Sequence, residues 1–233
     1  QQQLQTDLQR LQQGYPLAYL LGEKAFWDMT LTVTEDTLIP RPDTETLVEV
    51  ILSLLPPSFN GRLLELGTGS GAIAIALSRE LPDSRIYACD IHQAALNIAE
   101  TNAQHWQRAP ISFFRSDWFK VLDKVHDSSP LQKPFTLIVS NPPYIAPQDP
   151  HLAKLTFEPA KALIAKQNGL ADIRQIITRT PQHLLSNGWL IVEHGYHQGQ
   201  AVRDLFKAAG QWQDITTHCD LGGNERVSVA RLN

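Results

Sequence analysis

Cysteine is scarce in this sequence, and no stretch of it has the character of a membrane segment. The two cysteines, Cys89 and Cys219, lie far apart in the 233-residue chain, so neither a disulfide framework nor a cysteine metal site is predicted. No apolar run is long enough to span a bilayer, and the glutamine-rich first residues lack the charged and apolar regions of a signal peptide. We therefore predict a cytoplasmic protein with no membrane partner.

The chain also has no excess of basic over acidic residues. The chain carries 20 Lys and Arg against 24 Asp and Glu, a formal net charge of −4, which gives no general field to attract phosphate backbones. This balance disfavours direct contact with nucleic acid. The histidines show no metal-ligand spacing, so no metal is predicted. His92, His105 and His126 stand in polar stretches and are predicted to face solvent, whereas His194 ends a predicted strand.

The chain does contain a regular alternation of strand and helix patterns, which is typical of an α/β domain with a mainly parallel sheet and helices on both faces. The main domain is predicted at residues 61–233. Residues 14–60 are predicted to form a short hairpin and a linker helix, and residues 1–13 the C-terminal remnant of an N-terminal helical domain. Predicted strands cover residues 62–66, 85–90, 111–115, 137–139, 189–194, 212–219 and 226–231, and predicted helices residues 72–81, 93–107, 170–185 and 198–209.

A glycine-rich turn follows the first strand of the main domain. Gly67, Gly69 and Gly71 have the spacing Gly-x-Gly-x-Gly, whereas dinucleotide sites that hold a pyrophosphate have Gly-x-Gly-x-x-Gly. Asp90 ends the next strand, where a carboxylate can accept hydrogen bonds from ribose hydroxyls. Glu65, just before the turn, suits a cationic ligand better than a pyrophosphate. Together these features predict S-adenosylmethionine, a nucleoside that carries positive charge in place of phosphate, although a tight strand-to-helix turn with a surface aspartate remains an alternative.

A proline-stiffened loop follows the buried strand pattern of residues 137–139. Ser140 is followed by Asn141, Pro142, Pro143 and Tyr144, and the loop opens at the carboxyl end of the strand, where ligands bind in α/β sheets. The prolines restrict the backbone. They hold two acceptors in place, the Asn141 side-chain oxygen and the Pro142 carbonyl. Two acceptors beside a flat aromatic ring fit a planar amide or amino group, although a rigid turn without function remains an alternative.

Two further segments each have two interpretations on the residues alone. Residues 38–45 hold two prolines around Arg41 and are either the start of a helix or part of a site. Asp117 and Trp118 follow the third strand, where they either cap and pack a turn or contact an adenine ring.

These motifs together resemble one family. The glycine turn, the acid at the end of the second strand and the Asn-Pro-Pro-Tyr loop are similar to those of class I S-adenosylmethionine-dependent methyltransferases that act on planar nitrogen. Residues 38–45, 65–74, 140–145, 157–159 and 223–226 narrow the resemblance to the release factor glutamine methyltransferases, the HemK/PrmC family. The resemblance runs from about Gly14 to the end of the chain and implies a Rossmann-like, seven-stranded sheet with an antiparallel C-terminal strand.

The resemblance implies an activity and a set of site residues. The family methylates the side-chain amide nitrogen of the glutamine in the Gly-Gly-Gln motif of class I peptide chain release factors. Catalytic residues carried over from it are Asn141, Pro142 and Tyr144, and those that bind the substrate amide are Asn141, Pro142, Pro143 and Tyr144. Cofactor-binding residues carried over are Gly67, Thr68, Gly69, Ser70, Gly71, Asp90, Asp117, Trp118 and Asn141, with Arg41, Pro42 and Glu45 closing over the methionine end.

Two departures from the family pattern concern partner docking. Only the last helix of the family's N-terminal domain is predicted here, and the connection between Tyr144 and Phe157 is shorter than is usual. Two other functions remain as alternatives. One is a nucleic-acid methyltransferase acting on adenine or cytosine amino groups, which shares the Asn-Pro-Pro-Tyr loop. The other is a catalytically silent cofactor-binding module.

Overall fold

Helices and a hairpin occupy the first 60 residues of the structure, a computed structural model that describes residues 2–125 and 129–233. Gln1 and His126, on which two of the predictions above fall, lie outside the described residues. The predicted N-terminal helix and hairpin are confirmed. The elements in order are α1 (Gln2–Gln12), α2 (Leu17–Leu21), β1 (Glu23–Phe26), β2 (Met29–Thr32) and α3 (Glu45–Leu54).

The main domain alternates strands and helices as the sequence predicts. Its first half contains β3 (Arg62–Leu66), α4 (Ala72–Glu80), β4 (Arg85–Asp90), α5 (Gln93–Trp106), β5 (Ile111–Arg115) and β6 (Phe135–Ser140). Its second half contains α6 (Ala160–Leu163), α7 (Lys166–Gly169), α8 (Ala171–Arg179), β7 (Leu184–Glu193), α9 (Gly199–Ala209), β8 (Trp212–Cys219) and β9 (Glu225–Leu232).

The seven strands β3 to β9 form one sheet in the order β5-β4-β3-β6-β7-β9-β8. Only β9 runs against the others, which confirms the predicted Rossmann-like fold with an antiparallel C-terminal strand. Strands β3 and β6 are neighbours, and Leu66 pairs with both Cys89 and Ser140. The loops that follow β3, β4 and β6 therefore open side by side at one edge of the sheet, at the point where the strand order reverses.

Apolar side chains on the two faces of the sheet form two core layers. Leu63 and Leu137 pack in the layer that contains α3, α4 and α5, whereas Leu64 and Ile138 pack in the layer that contains α8 and α9. All four side chains are buried. Because successive residues of a strand point to opposite faces, a continuous apolar run is what a strand buried on both faces requires.

The predicted helix over residues 170–185 is wrong at its end. Helix α8 stops at Arg179, a 3-10 turn covers Thr180–Gln182, and β7 already begins at Leu184. Pro181 has no backbone N–H with which to continue an α-helix, and Leu184 pairs with Phe135 of β6. The chain leaves the helix early because the long strand β7 has to start beside β6.

No helix in the described part of the chain has the length and apolar character needed to cross a membrane.

Candidate active site

Cavities open at the carboxyl edge of the sheet around the Asn-Pro-Pro-Tyr loop. The first cavity has a volume of about 250 Å³ and is lined by the glycine turn, Asp90, Asp117 and Trp118. The second has a volume of about 690 Å³ and is lined by Pro142, Tyr144 and the segment around Arg41. A small third cavity of about 50 Å³ is lined by Glu65, Thr68, Ser70 and Arg41. Asn141 lines all three cavities. The fold therefore brings most of the predicted residues to one cleft and places Asn141 at the junction of its two halves.

The glycine turn is built for close approach of its backbone to a neighbour. Gly67 has a φ of +75°, and a Cβ atom at this position would lie 3.5 Å from Cζ3 of Trp118. The backbone N–H groups of Gly67 and Thr68 both donate to the Cys89 carbonyl at 2.9 Å. Thr68 and Ser70, both buried, complete the turn before α4. The turn is thus fixed to β4 while its outer side faces the first cavity.

Glu65 is a buried carboxylate with one oxygen left free. Its Oε2 accepts hydrogen bonds from Thr68 Oγ1 at 2.6 Å and from the Ala74 backbone N–H at 3.0 Å, whereas Oε1 makes no hydrogen bond with any described residue. Burial raises the pKa of Glu65 to about 8. A buried carboxylate without a cation is costly, so the group holds its proton at neutral pH, and a ligand that carries positive charge would favour its ionised form.

Asp90 lies at the end of β4 and holds two loops in place. Its Oδ2 accepts from the Gly69 backbone N–H at 3.0 Å, and its Oδ1 accepts from that of His92 at 2.9 Å. Each carboxylate oxygen has a second lone pair. Asp90 lines the first cavity and can therefore accept from ligand hydroxyls while keeping both loop contacts.

Asp117 and Trp118 both line the first cavity. The Asp117 carboxylate forms an ion pair with Lys120. Trp118 has a φ of +49°. Burial raises the pKa of Asp172, and the neighbouring Trp118 side chain partly offsets this. Asp172 also lines this cavity. Sequence reasoning missed Asp172 because an acid in the first turn of a helix carries no signal beyond an ordinary helix start.

The Asn-Pro-Pro-Tyr loop is held at both ends. Ser140 donates its hydroxyl to the Leu66 carbonyl at 2.8 Å, which ties the loop to β3. Asn141 Nδ2 donates to Thr44 Oγ1 at 3.2 Å, and Tyr144 donates its hydroxyl to Glu193 Oε1 at 3.4 Å. Burial, more than any other cause, raises the pKa of Tyr144 above its usual value, so its hydroxyl stays protonated at neutral pH.

The segment of residues 38–45 is fastened to the C-terminal half of the chain. Arg41 forms an ion pair with Glu158, and the Ile39 backbone N–H donates to the same carboxylate at 3.1 Å. Asp43 forms an ion pair with Arg226 at 2.9 Å. Glu158 and Arg226 belong to the two short motifs, residues 157–159 and 223–226, that the sequence singled out. Both motifs therefore form ion pairs that hold the segment of residues 38–45 in place.

The structure places Arg41 and Pro42 in the cleft but not Glu45. Arg41 and Pro42 line the second cavity. The Glu45 carboxylate instead accepts a hydrogen bond from the Trp27 backbone N–H at 2.9 Å and lines none of the three cavities. The 3-10 turn Pro42–Thr44 makes Glu45 the first residue of α3, which turns its side chain toward the hairpin. Thr44, which the sequence did not single out, is the residue of this turn that reaches Asn141.

Two neighbouring residues of β7 and its loop differ in their surroundings. Glu193 is 1% exposed, its Oε2 makes no hydrogen bond with a described residue, and burial raises its pKa to about 7. His194 is buried with its ring nitrogens close to Ser228 Oγ and the Gly195 carbonyl, and burial lowers its pKa. His194 thus faces the sheet, while Glu193 reaches the Asn-Pro-Pro-Tyr loop. Among the described residues no cluster of potential metal ligands occurs.

The sheet order and the glycine turn define a class of protein, the Rossmann-like methyltransferases. Residues 42–171, more than half of the chain, match the family model "Methyltransferase small domain". A crystal structure of a methyltransferase from Pyrococcus furiosus superimposes with a TM-score of 0.62 at 12% identity, covering 97% of this chain and 98% of that one. At this identity the likeness shows the fold.

Two relatives narrow the class to one family. The release factor glutamine methyltransferase of Salmonella typhimurium is 47% identical over 234 aligned positions, covering 100% of this chain and 81% of that protein. The Escherichia coli protein of the same name is also 47% identical, covering 99% of this chain and 80% of that protein. The chain belongs to the release factor glutamine methyltransferase family.

Proposed function

We propose that this protein transfers a methyl group from S-adenosylmethionine to the side-chain amide nitrogen of the glutamine in the Gly-Gly-Gln motif of class I peptide chain release factors, and so modulates translation termination. The observation that carries the proposal is the position of Asn141. Its amide lies between two cavities and donates through Nδ2 to Thr44, which leaves Oδ1 free to accept from an incoming N–H group. Family membership supports the same activity.

The first cavity and the small cavity lined by Glu65 together fit S-adenosylmethionine. The free Oε1 of Glu65 suits the cationic methionine end of the ligand. The glycines of the turn have no side chains, so the ligand can come close to their backbone. Asp90 would accept from the ribose hydroxyls, and Asp117 and Trp118 would flank the adenine. When bound, this cofactor supplies a methyl group on a positively charged sulfur, which is open to attack by a nucleophile. Residues of the cofactor site in this proposal are Gly67, Thr68, Gly69, Ser70, Gly71, Asp90, Asp117, Trp118, Asn141, Arg41 and Pro42.

The second cavity would admit the glutamine side chain. The Asn141 side-chain oxygen and the Pro142 carbonyl would accept the two N–H groups of its amide, while Pro143 and Tyr144 would confine the plane of the group. An amide nitrogen is a poor nucleophile because its lone pair is delocalised into the carbonyl. Two acceptors aimed at its protons position the nitrogen and stabilise the positive charge that develops during attack.

Neither Asn141 nor Tyr144 acts as a base in this mechanism. A neutral amide oxygen does not remove protons at neutral pH, and the raised pKa of Tyr144 keeps its hydroxyl protonated. The proton therefore leaves the methylated nitrogen after transfer, when the positive charge on nitrogen makes it acidic. Catalysis in this site rests on position and on electrostatic stabilisation.

The two alternative functions have weaker support. A nucleic-acid methyltransferase would need a surface that attracts phosphates, whereas this chain has a net charge of −4. A silent cofactor-binding module would not need the contacts that hold Asn141 and Tyr144. Neither alternative accounts for relatives that share nearly the whole chain and one name.

Methyl transfer from labelled S-adenosylmethionine tests the proposed function. The acceptors are a purified class I release factor, the same factor with Gly-Gly-Ala in place of Gly-Gly-Gln, and duplex DNA. We expect label on the unaltered factor alone. Label on DNA would move the protein to the nucleic-acid enzymes, and binding of the cofactor without any transfer would favour the silent module.

A further inference from the structure

The amide of Asn141 has two ends, and only one of them suits the proposed reaction. An oxygen facing the second cavity accepts from a substrate N–H, whereas an amino group there would repel it. The proline that follows restricts the Asn141 backbone, but it does not choose between the two orientations of the side-chain amide. A neighbouring group has to make that choice.

Thr44 is the neighbour that makes contact. Its hydroxyl oxygen lies 3.2 Å from Asn141 Nδ2 and accepts that hydrogen bond, and the residue is only 4% exposed. A hydroxyl has a single proton to donate and can accept at the same time. If its proton is taken by another acceptor, the Thr44 oxygen can only accept from Asn141, and the amino end of the amide is then drawn toward Thr44.

Glu193 is a buried acid with one oxygen free to accept that hydrogen bond. Its carboxylate is 1% exposed, and its Oε2 makes no hydrogen bond of standard geometry among the described residues. The Thr44 side chain interacts with this carboxylate. An ionised carboxylate accepts hydrogen bonds and donates none. The same carboxylate accepts from Tyr144 at 3.4 Å, so this acid contacts the last residue of the loop directly and is placed to act on the Asn141 amide through Thr44.

We propose that Thr44 and Glu193 are positioning residues that set the direction of the Asn141 amide, with Glu193 accepting from Thr44, Thr44 accepting from Asn141 Nδ2, and Asn141 Oδ1 directed to the substrate. The inference rests on the proposed function for its chemistry, but the direction of the hydrogen bonds can be measured without any substrate. It assigns a role to the buried acid of β7 and to the last residue of the turn Pro42–Thr44, next to the ion pairs of Arg41 with Glu158 and of Asp43 with Arg226.

The charged groups around Glu193 are compatible with its role as an acceptor. Burial has the largest influence on the pKa of Glu193 and raises it to about 7, whereas the charge of Arg226 favours the ionised, accepting form and that of Asp43 opposes it. Arg226 is itself shared between Asp43 and Asp220, each at 2.9 Å. Tyr144 adds a donor and no charge. The carboxylate thus keeps accepting capacity for Thr44 even though a cation lies near it.

The first test compares Thr44→Val with Thr44→Ser, which differ in whether a hydroxyl is present. We expect Thr44→Val to lower kcat for release factor methylation by about tenfold or more, since a misdirected amide loses one transition-state contact. Thr44→Ser should retain most of the activity, and affinity for S-adenosylhomocysteine should stay within about twofold in both. Equal losses in the two variants would overturn the proposal, because they would show that packing and not the hydroxyl matters.

The second test reads the amide itself, by nitrogen-15 NMR of the Asn141 side chain assigned with Asn141→Ala. In the unaltered protein and in Thr44→Ser we expect one Nδ2 proton to be protected from solvent exchange, and in Thr44→Val and Glu193→Gln we expect that protection to be lost. Glu193→Gln keeps the shape of the acid but can donate to Thr44, which removes the fixed direction. Unchanged protection of the Nδ2 proton in Glu193→Gln would overturn the proposal. Because this measurement uses no methyl acceptor, its outcome does not depend on whether the proposed function is correct.

Discussion

The two ends of the cleft each contain a buried glutamate, and their surroundings differ. Glu65 and Glu193 are both 1% exposed, both keep one oxygen without a hydrogen bond among described residues, and burial raises their pKa values to about 8 and about 7. Glu65 receives hydrogen bonds only from its own turn and helix, and the nearest charge that affects it is another acid, Asp90. Glu193 faces Thr44, Tyr144 and Arg226, which come from three different segments.

This difference is what we expect between a residue that binds a ligand and one that organises the protein. The charge of Glu65 has no cation in the protein, so a cationic ligand would complete its surroundings. Glu193 accepts from Tyr144 and has the charge of Arg226 near it, so it would hold the substrate end in shape. Substitutions at the cofactor end should therefore change binding, and substitutions at the substrate end should change turnover.

The largest effect is expected for Asn141→Ala, at the substrate end. Loss of one polar contact that forms in the transition state typically lowers the rate by about 10²- to 10³-fold, and we expect kcat to fall by this amount. Affinity for S-adenosylhomocysteine, measured by calorimetry, should change far less. Asn97→Ala, at an exposed position of α5, serves as a control and should leave both quantities unchanged. Equal losses of turnover and cofactor affinity would contradict the separation of the two ends.

A smaller effect, now on binding, is expected for Glu65→Gln. A hydrogen bond to a charged group is worth about 1.5–3 kcal/mol, so removal of the charge should weaken cofactor affinity by about 10- to 100-fold. Glutamine keeps an oxygen for Thr68 and Ala74, which limits the damage to the fold. Calorimetric titration with S-adenosylhomocysteine measures the change.

The matched control for Glu65→Gln is Glu193→Gln, the same substitution at the other buried acid. It should leave cofactor affinity within about twofold. If both variants lost affinity equally, the contrast between the two glutamates would be wrong, and burial alone would govern both.

The residues that meet at the cofactor end of the cleft are easier to predict from the sequence than those that meet at the substrate end. The strands β3 and β4, the glycine turn and Asp90 follow one another along the chain, so local spacing predicts their meeting. Thr44 and Asn141 are 97 residues apart, and no local pattern links them. The same holds for Glu193, whose place in an apolar strand shows only that it is buried. Glu45, by contrast, has the right residue type at the right distance in sequence, but the 3-10 turn before it points its side chain toward Trp27.

The smallest and most specific effect is on the pH dependence of cofactor binding. The pKa of Glu65 in the ligand-free protein is about 8, so at pH 7 the carboxyl is mostly protonated, and a cationic ligand would bind best when it is ionised. Binding at pH 7 should therefore release close to one proton, and affinity should rise with pH up to about 8 and level off above it.

Proton release is measured by calorimetry in two buffers of different ionisation enthalpy, with Glu65→Gln as the variant that should release none. Stability alone could not isolate Glu65, because an acid with a raised pKa in the folded state loses its stabilising contribution as the pH rises through that value, and Glu193 shifts in the same direction. A ligand that contacts Glu65 but not Glu193 reports the ionisation of Glu65 alone. Release of a proton by Glu65→Gln but not by Glu193→Gln would reverse the roles assigned to the two residues.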